Sequence, residues 1–224
     1  MFAVIFEVSP KPEHWDDYLG IAKSLRPEIE KIDGFIDNER FKSRRTAGRL
    51  LSLSIWRDEK AVIRWRTLGA HHAAQERGRF EVFADYHLRV GEVTADTDLP
   101  QSGALPQQRL DETEIGAAKM ATIYEPPVDS AAASDDPAAA LGLAPIGQDG
   151  IVDHDTFDSI TTAGKRLLLI SWADQAAAEA WQRRLGGSRR GRIRQVRIIR
   201  DYGMFDRREA PQFYPAVKSP FRAP

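Results

Sequence analysis

The sequence predicts an α+β chain in which two ferredoxin-like βαββαβ repeats form an intramolecular dimeric α+β barrel. The first observation behind this is a repeat. The 32 residues from Gly34 (GFIDNERFKSRRTAGRLLSLSIWRDEKAVIRW) recur without a gap from Gly150 (GIVDHDTFDSITTAGKRLLLISWADQAAAEAW), with 13 identities at a shift of 116. They include Trp56/Trp172, Trp65/Trp181, Ser43/Ser159 and the Thr-Ala-Gly turns at Thr46 and Thr162. Upstream, Phe2-Ala-Val-Ile-Phe-Glu7 answers Met120-Ala-Thr-Ile-Tyr-Glu125 at a shift of 118. Self-similarity at a fixed spacing marks a duplicated supersecondary unit. The second observation is the order of periodicities within a copy: strand, helix, strand, strand, helix, strand. The third is that the strands are apolar on both parities, with Leu51, Leu53 and Ile55 on one face and Leu50 and Trp56 on the other. A lone four-stranded sheet with helices on one side leaves its second apolar face bare, and a second copy covers it.

The elements follow in order. Phe2–Val8 is a short run of β-branched and aromatic residues, hence a strand. Lys11–Lys31 carries Trp15, Tyr18, Leu19, Ala22, Leu25 and Ile29 at helical spacing, with Pro12 in the first turn. Gly34 reopens the chain into a strand through Phe41, Thr46-Ala47-Gly48 supplies a hairpin turn, and Leu50–Trp56 is the next strand. Asp58 stands where a helix N-cap belongs, and Ala61, Val62, Trp65 and Leu68 form the buried stripe of a helix that continues through His71 and His72. After Gly78, Phe80–Val93 closes the copy as a fourth strand.

The second copy is reduced. Pro126–Pro137 replaces its first helix and leaves at most a short one at Ala138–Leu143. Trp181 lies 16 residues before Arg197, against 24 from Trp65 to the matching Arg89, so eight residues of second helix and loop are missing. The expected division is 1–95 for the first repeat, which keeps a ligand pocket, 96–118 for a linker, 119–205 for the degenerate second repeat and 206–224 for a tail. The polar linker reads as an exposed crossing, and the tail, with four prolines, as a strand of chain draped over the body.

Composition excludes whole classes of function. Thirty-two Lys+Arg against 33 Asp+Glu give a net charge of −1, unlike the strongly basic domains that bind nucleic acid. With no cysteine there are no disulfides, thiolate metal sites, iron–sulfur clusters or cysteine nucleophiles. No apolar run approaches the ~20 residues of a membrane span, and the start lacks the basic flank of a signal peptide. A soluble cytoplasmic protein without nucleic-acid or membrane partners is the expectation. Five scattered histidines suggest no metal site, and no phosphate loop, dinucleotide fingerprint or nucleophile elbow occurs.

The run from Phe2 to Val93, with GFIDNERF, LLSLSIWRDE, the helix residue Trp65, AHHAAQERGR and DYHLRV, resembles the antibiotic-biosynthesis-monooxygenase domain. The resemblance covers nearly all of the first copy and, more faintly, Lys119–Met204. It implies dimeric α+β barrels and a family that includes cofactor-free quinone-forming and haem-degrading monooxygenases. The implied function is oxidation of a small aromatic or polyketide-like substrate by molecular oxygen. Phe2–Val8 holds no asparagine, which a haem-degrading member would carry there, and Glu7 is its only polar residue. Cofactor-free oxygenation is therefore favoured, with haem as the alternative cofactor. The competing reading is a non-catalytic protein that binds a hydrophobic ligand or haem in the same first-repeat pocket.

The resemblance places a pocket or haem-ligating histidine on the helix after the tryptophan, so His71, His72 and Trp65 are the catalytic candidates. At ~100° per residue His72 stays within about 20° of Trp65's face and His71 turns about 120° away, although His71 occupies the commoner family position. A neutral imidazole suits proton transfer near pH 7, while partly exposed caps at a helix end are the plainer alternative. Phe35, Phe41, Phe83, Tyr86 and Trp56, with Phe80 and His87, are candidate substrate-binding walls. Burial in the core explains the tryptophans equally well, above all Trp56, which recurs as Trp172. Since His71 and His72 match Gly187 and Ser188, any pocket belongs to the first copy. The eight arginines between Arg183 and Arg200 form the strongest local charge feature and read as a solvated helix end and strand. Exposed sheet edges leave pairing into a homodimer open.

Overall fold

The computed structural model describes residues 1–99, 105–128, 136–186 and 191–217. Its strands are β1 (Phe2–Pro10), β2 (Phe35–Ser43), β3 (Leu50–Trp56), β4 (Phe83–Asp96), β5 (Met120–Glu125), β6 (Ile151–Ser159), β7 (Arg166–Trp172) and β8 (Arg192–Gly203). The helices are α1 (Trp15–Glu30), α2 (Glu59–Thr67), α3 (Gly69–Arg77), α4 (Pro137–Ala140) and α5 (Gln175–Leu185), with a 3-10 turn at Pro12–His14 and a π turn at Gly78–Val82.

Strand parity decides what each face of the sheet does. All eight strands close into one barrel in the order β1-β3-β2-β6-β7-β5-β8-β4. Every strand sends residues of one parity inward, including Ile5, Phe41, Leu53, Val93, Ile123, Phe157, Leu169 and Val196, and these form the central core. Residues of the other parity face outward under the helices. There Phe2, Trp56, Val62 and Val90 make one cluster, and Trp172, Trp181, Leu168 and Ile170 make another in the second half.

The two halves use the same registers. Phe2 faces Trp56 across β1/β3, and Met120 faces Trp172 across β5/β7. At the β2/β6 seam Ser43 Oγ donates to Asp155 Oδ2 at 2.6 Å, and Ser159 Oγ donates to Glu39 Oε1 at the same distance. Glu7 pairs with Arg89 inside the barrel, and Glu125 pairs with Arg194 at 2.9 Å. The ladders set Glu7 opposite His87 and Glu125 opposite Arg192, so Arg194, not Arg197, is the counterpart of Arg89. Trp181 precedes Arg194 by 13 residues and Trp65 precedes Arg89 by 24, so the loss between helix and last strand is larger than the eight residues expected.

Three local expectations change. The helix after Asp58 is two helices. Asp58 and Asp174 do cap α2 and α5, accepting from the Ala61 and Ala177 amides at 2.8 Å. But Leu68 adopts an extended ψ of 130° before Gly69, a poor helix residue, and the axis restarts. The fourth strand begins at Phe83 rather than Phe80 because the π turn consumes Gly78–Val82. The linker is more than an exposed crossing. Leu105 packs on the barrel core, Thr113 is buried, and the Gln108 and Arg109 amides donate to buried Glu92.

Most of the described arginines of the 183–200 cluster pair with carboxylates. Arg192 pairs with Asp96 at 2.7 Å, Arg197 with Glu92 at 2.8 Å, Arg184 with Asp149 at 2.9 Å and Arg183 with Glu179 at 3.6 Å. Gly187, Ser188, Arg189 and Arg190 lie outside the described residues. No helix among the described residues is long and apolar enough to cross a membrane.

Candidate active site

A cavity of about 200 Å³ lies between α1–α3 and the outward face of the first-half sheet. Its floor follows from the ladder registers. One row runs Asn38, Ser54, Val4, Val90, Arg200 across β2, β3, β1, β4 and β8, and the next runs Arg40, Ser52, Phe6, Leu88, Tyr202. The roof is Tyr18, Ala22 and Leu25 from α1, Val62, Trp65 and Arg66 from α2, and His71 and Gln75 from α3. Pro211, Gln212 and Tyr214 of the C-terminal segment close one side.

Among the described residues the matching place in the second half is filled. On the outward parity β3 reads Leu50, Ser52, Ser54, Trp56, whereas β7 reads Arg166, Leu168, Ile170, Trp172. Leu168 and Ile170 are fully buried where the small serines leave room, and Trp181 fills the space with its ring 5.6 Å from that of Trp172. Its counterpart Trp65 is only partly buried and lines the cavity.

The break at Leu68 sets the geometry of the histidines. His71 folds back on Trp65, with ring centroids 4.0 Å apart and planes 15° apart. His71 Nδ1 lies 2.9 Å from the Trp65 carbonyl oxygen, which can only accept, so Nδ1 carries the proton and Nε2 keeps its lone pair. Burial pushes this imidazole down to about 4, and the neighbouring His72 pushes the same way, so His71 is neutral at pH 7. His72, expected nearer Trp65's face, instead is exposed and stacks on Tyr214 at 5.8 Å outside the cavity lining. The continuous-helix rotation fails because the helix is not continuous.

The candidate walls divide. Phe83 and Tyr86 line the cavity, their rings 6.1 Å apart, and Tyr86 Oη accepts from Arg79 at 3.3 Å and Arg207 at 2.5 Å. Phe41 faces the barrel interior, on the far side of the sheet. Phe35 packs edge-on against Trp56 at 5.4 Å, and Trp56 is fully buried beside the cavity, donating its indole N–H to Ser54 Oγ at 2.8 Å. Phe80 is 42% exposed. His87 sits on the opposite parity, its Nε2 2.6 Å from Asp201 Oδ1. Arg40, which beside the hairpin reads in the sequence as an exposed turn charge like Arg44, Arg45 and Arg49, is half-buried and lines the cavity, as do Ser52, Ser54, Arg66, Gln75 and Tyr214, for which the sequence offered no expectation. The serine pair in LLSLSIW, where the second half carries Leu168 and Ile170, was the available signal.

A closed α+β barrel with one helix-roofed, histidine-bearing cavity defines a small-molecule site carried on the outside of a barrel. The chain belongs to the antibiotic biosynthesis monooxygenase family. The family's model matches residues 1–77. A jasmonate monooxygenase from Pyricularia oryzae is 45% identical over 219 residues, covering 96% of this chain and 99% of that protein. Among solved structures, an aldoxime dehydratase superposes with a TM-score of 0.54 at 13% identity, covering 88% of this chain and 81% of that one, which is a likeness of fold. An antibiotic biosynthesis monooxygenase of known structure is 16% identical, covers 42% of this chain and all of its own length, and has a TM-score of 0.38.

Proposed function

We propose that the cavity is the active site of a monooxygenase that oxidises a small, largely apolar molecule with molecular oxygen and no resident cofactor. The observation that carries this reading is His71, a neutral imidazole held against Trp65 with Nε2 uncommitted in a cavity that the second half fills with Leu168, Ile170 and Trp181. In this reading Nε2 removes a proton from a carbon acidified by a neighbouring carbonyl or aromatic ring. The carbanion supplies the electrons, a C–O bond forms with oxygen, and O–O cleavage releases water. A methylene group and dioxygen thus give a carbonyl group and water: both C–H bonds break, one oxygen atom stays on the carbon, and the other leaves with the two hydrogens. Trp65, Phe83 and Tyr86 wall the substrate, and the apolar roof keeps water from the carbanion. The relative's name, a jasmonate monooxygenase, supports a small carboxylate as substrate alongside the aromatic or polyketide-like class.

Haem fits the site poorly. A cavity of about 200 Å³ is below the ~300–1,000 Å³ that drug-sized ligands occupy, and a macrocycle is larger still. The shared registers, the paired Ser43/Ser159 bonds and the Glu7/Glu125 ion pairs support reading the chain as a duplicated unit, a pseudo-dimer in one polypeptide. Oxygen uptake by the purified protein on phenolic substrates and on jasmonate tests the function, with His71→Ala and a haem titration alongside. Uptake without added cofactor, lost in His71→Ala, is expected. Uptake that requires stoichiometric haem would overturn the cofactor-free mechanism, and ligand binding without uptake would leave a binding protein.

A further inference from the structure

The cavity has one corner with a surplus of hydrogen-bond donors over acceptors. Arg40 lines it, and its Nε is buried without a partner. Among the described residues no carboxylate ion-pairs with Arg40, whereas the half-buried or buried Arg89, Arg192, Arg194 and Arg197 each have one. The hydroxyl of buried Tyr18 is within its reach and can accept from the guanidinium, which leaves the phenol proton to donate elsewhere. Ser52 lies directly across the ladder from Arg40, and Ser54 across from Asn38. Each serine already accepts, Ser52 Oγ from Asn38 Nδ2 at 3.1 Å and Ser54 Oγ from the Trp56 indole at 2.8 Å. Neither donates to any described group, so both hydroxyl protons remain for a ligand. A partly buried cation and three spare O–H donors are costly unless something negative completes them.

We propose that Arg40, with Tyr18, Ser52 and Ser54, is the anchor that selects a carboxylate, so that the substrates are apolar monocarboxylic acids held by the acid end. This rests on reading the cavity as the active site. The placement also orients the substrate. Tyr18 packs with Val8, Leu50 and Phe83, while Trp65 packs with Phe2, Val62 and Val90. Arg40 on β2 is three strand spacings, ~14 Å at ~4.8 Å each, from β4. Phe6 on β1 and Leu88 on β4 continue the floor row beyond Ser52 and offer an apolar surface to the rest of the molecule.

Binding measured by calorimetry under nitrogen separates this anchor from any turnover. The probes are jasmonate against its methyl ester, and octanoate against methyl octanoate. The wild-type protein should bind each acid about tenfold or more tightly than its ester, the worth of a charge-assisted bidentate contact. Arg40→Met should abolish the preference while leaving ester affinity within about twofold, and Arg40→Lys, which keeps the charge without the fork, should retain part of it. Ser52→Ala should lower acid affinity alone. Equal binding of acid and ester by the wild type, or no binding of either acid, overturns the proposal. So does a preference that survives in Arg40→Met or disappears in Arg66→Met; Arg66, like Arg79, is a further cavity arginine with an unpartnered buried Nε. An acid preference without oxygen uptake would leave the anchor standing and remove the oxygenase reading, and uptake without the preference would do the reverse.

Discussion

The His71 imidazole lies flat on the Trp65 indole, 4.0 Å between ring centroids, while its Nδ1–H donates to the carbonyl of that same tryptophan. One residue therefore fixes both the orientation and the tautomer of the other, and Nε2 is the free base. His71→Ala should lower kcat by about 10²- to 10⁴-fold, the usual worth of a positioned general base. Because the lost stacking is worth only ~1 kcal/mol, its melting temperature should fall by a few degrees at most. Steady-state oxygen uptake and calorimetric melting on the same preparation check this. A variant that loses both activity and fold in step would assign His71 to packing alone.

His71 also makes stability depend on pH. The unfolded imidazole titrates near ~6.5, and the folded one, pushed down by burial, near about 4. Between these values the unfolded chain binds a proton that the native site refuses, so stability falls as pH drops through that window and is complete above it. At ~1.4 kcal/mol per pH unit the loss approaches ~3 kcal/mol by pH 4. Denaturant titrations at pH 4.5 and pH 7.5 on wild type and His71→Phe should show a smaller pH dependence in the variant. An unchanged difference would locate the proton uptake elsewhere.

The two internal ion pairs yield a test of the barrel itself. Arg89 is 3% exposed and its carboxylate partner Glu7 is 7% exposed, with Arg89 also donating to Ser171 Oγ from the other half at 2.6 Å. Arg89→Met leaves buried Glu7 with the longer ion pair to Arg49 at 3.9 Å and should cost ~3 kcal/mol. Glu7→Gln added to it should recover part of that loss, since the poorly compensated buried charge disappears. Urea unfolding of the single and double variants decides the matter, and a double variant as unstable as Arg89→Met would place the cost in packing.

Gly150 answers Gly34 in both sequence and conformation. It has φ of +76°, and a Cβ there would stand 2.4 Å from the Ala177 Cβ of α5. Gly150→Ala therefore adds backbone strain to a clash against the helix N-terminus, at ~2 kcal/mol or more. Thermal melting should drop by several degrees, and Ala177→Gly in the same chain should restore part of it by removing the clash while the strain stays.

What the sequence made legible was periodicity. Leu51, Leu53 and Ile55 against Leu50 and Trp56 announced a strand buried on both faces, and the structure sends the first three into the barrel and the other two under the helices. Asp58 and Asp174 announced helix starts because an N-cap is a local rule. The site was harder, since it depends on where elements end. Leu68 looks like part of the Ala61–Trp65 stripe, yet its extended backbone turns α3 so that His71, not His72, meets Trp65. Phe41 and Phe83 are both aromatic strand residues, and only closure of the barrel puts one inside it and the other on the cavity wall. The contribution of Tyr214 is a contact 142 residues from His72 in sequence, which no local pattern can register.

That distant contact makes the C-terminal segment a closure for the cavity. Glu209 fixes it to the body by accepting from Thr113 Oγ1, the Glu114 amide and the Asp201 amide, each at 2.7 Å. Beyond that anchor, Gln212 donates to Gln75 Oε1 at 3.1 Å, and Tyr214 stacks on His72 and meets Phe80 edge-on at 6.4 Å. Arg79, 3% exposed, reaches the segment through the Pro215 carbonyl at 3.2 Å. Glu209→Ala removes three acceptor contacts at once and should cost ~2–3 kcal/mol locally. Trypsin should then cut faster at Arg207 and Arg208 while the barrel stays intact. Tyr214→Ala leaves the anchor in place and only uncovers the cavity. If the segment holds substrate in, stopped-flow dissociation of a bound acid should speed up several-fold in both variants, with little change in the melting temperature of Tyr214→Ala. Dissociation that is faster in Glu209→Ala alone would mean that the anchor shapes the barrel end, and Tyr214 would have no part in retaining the ligand.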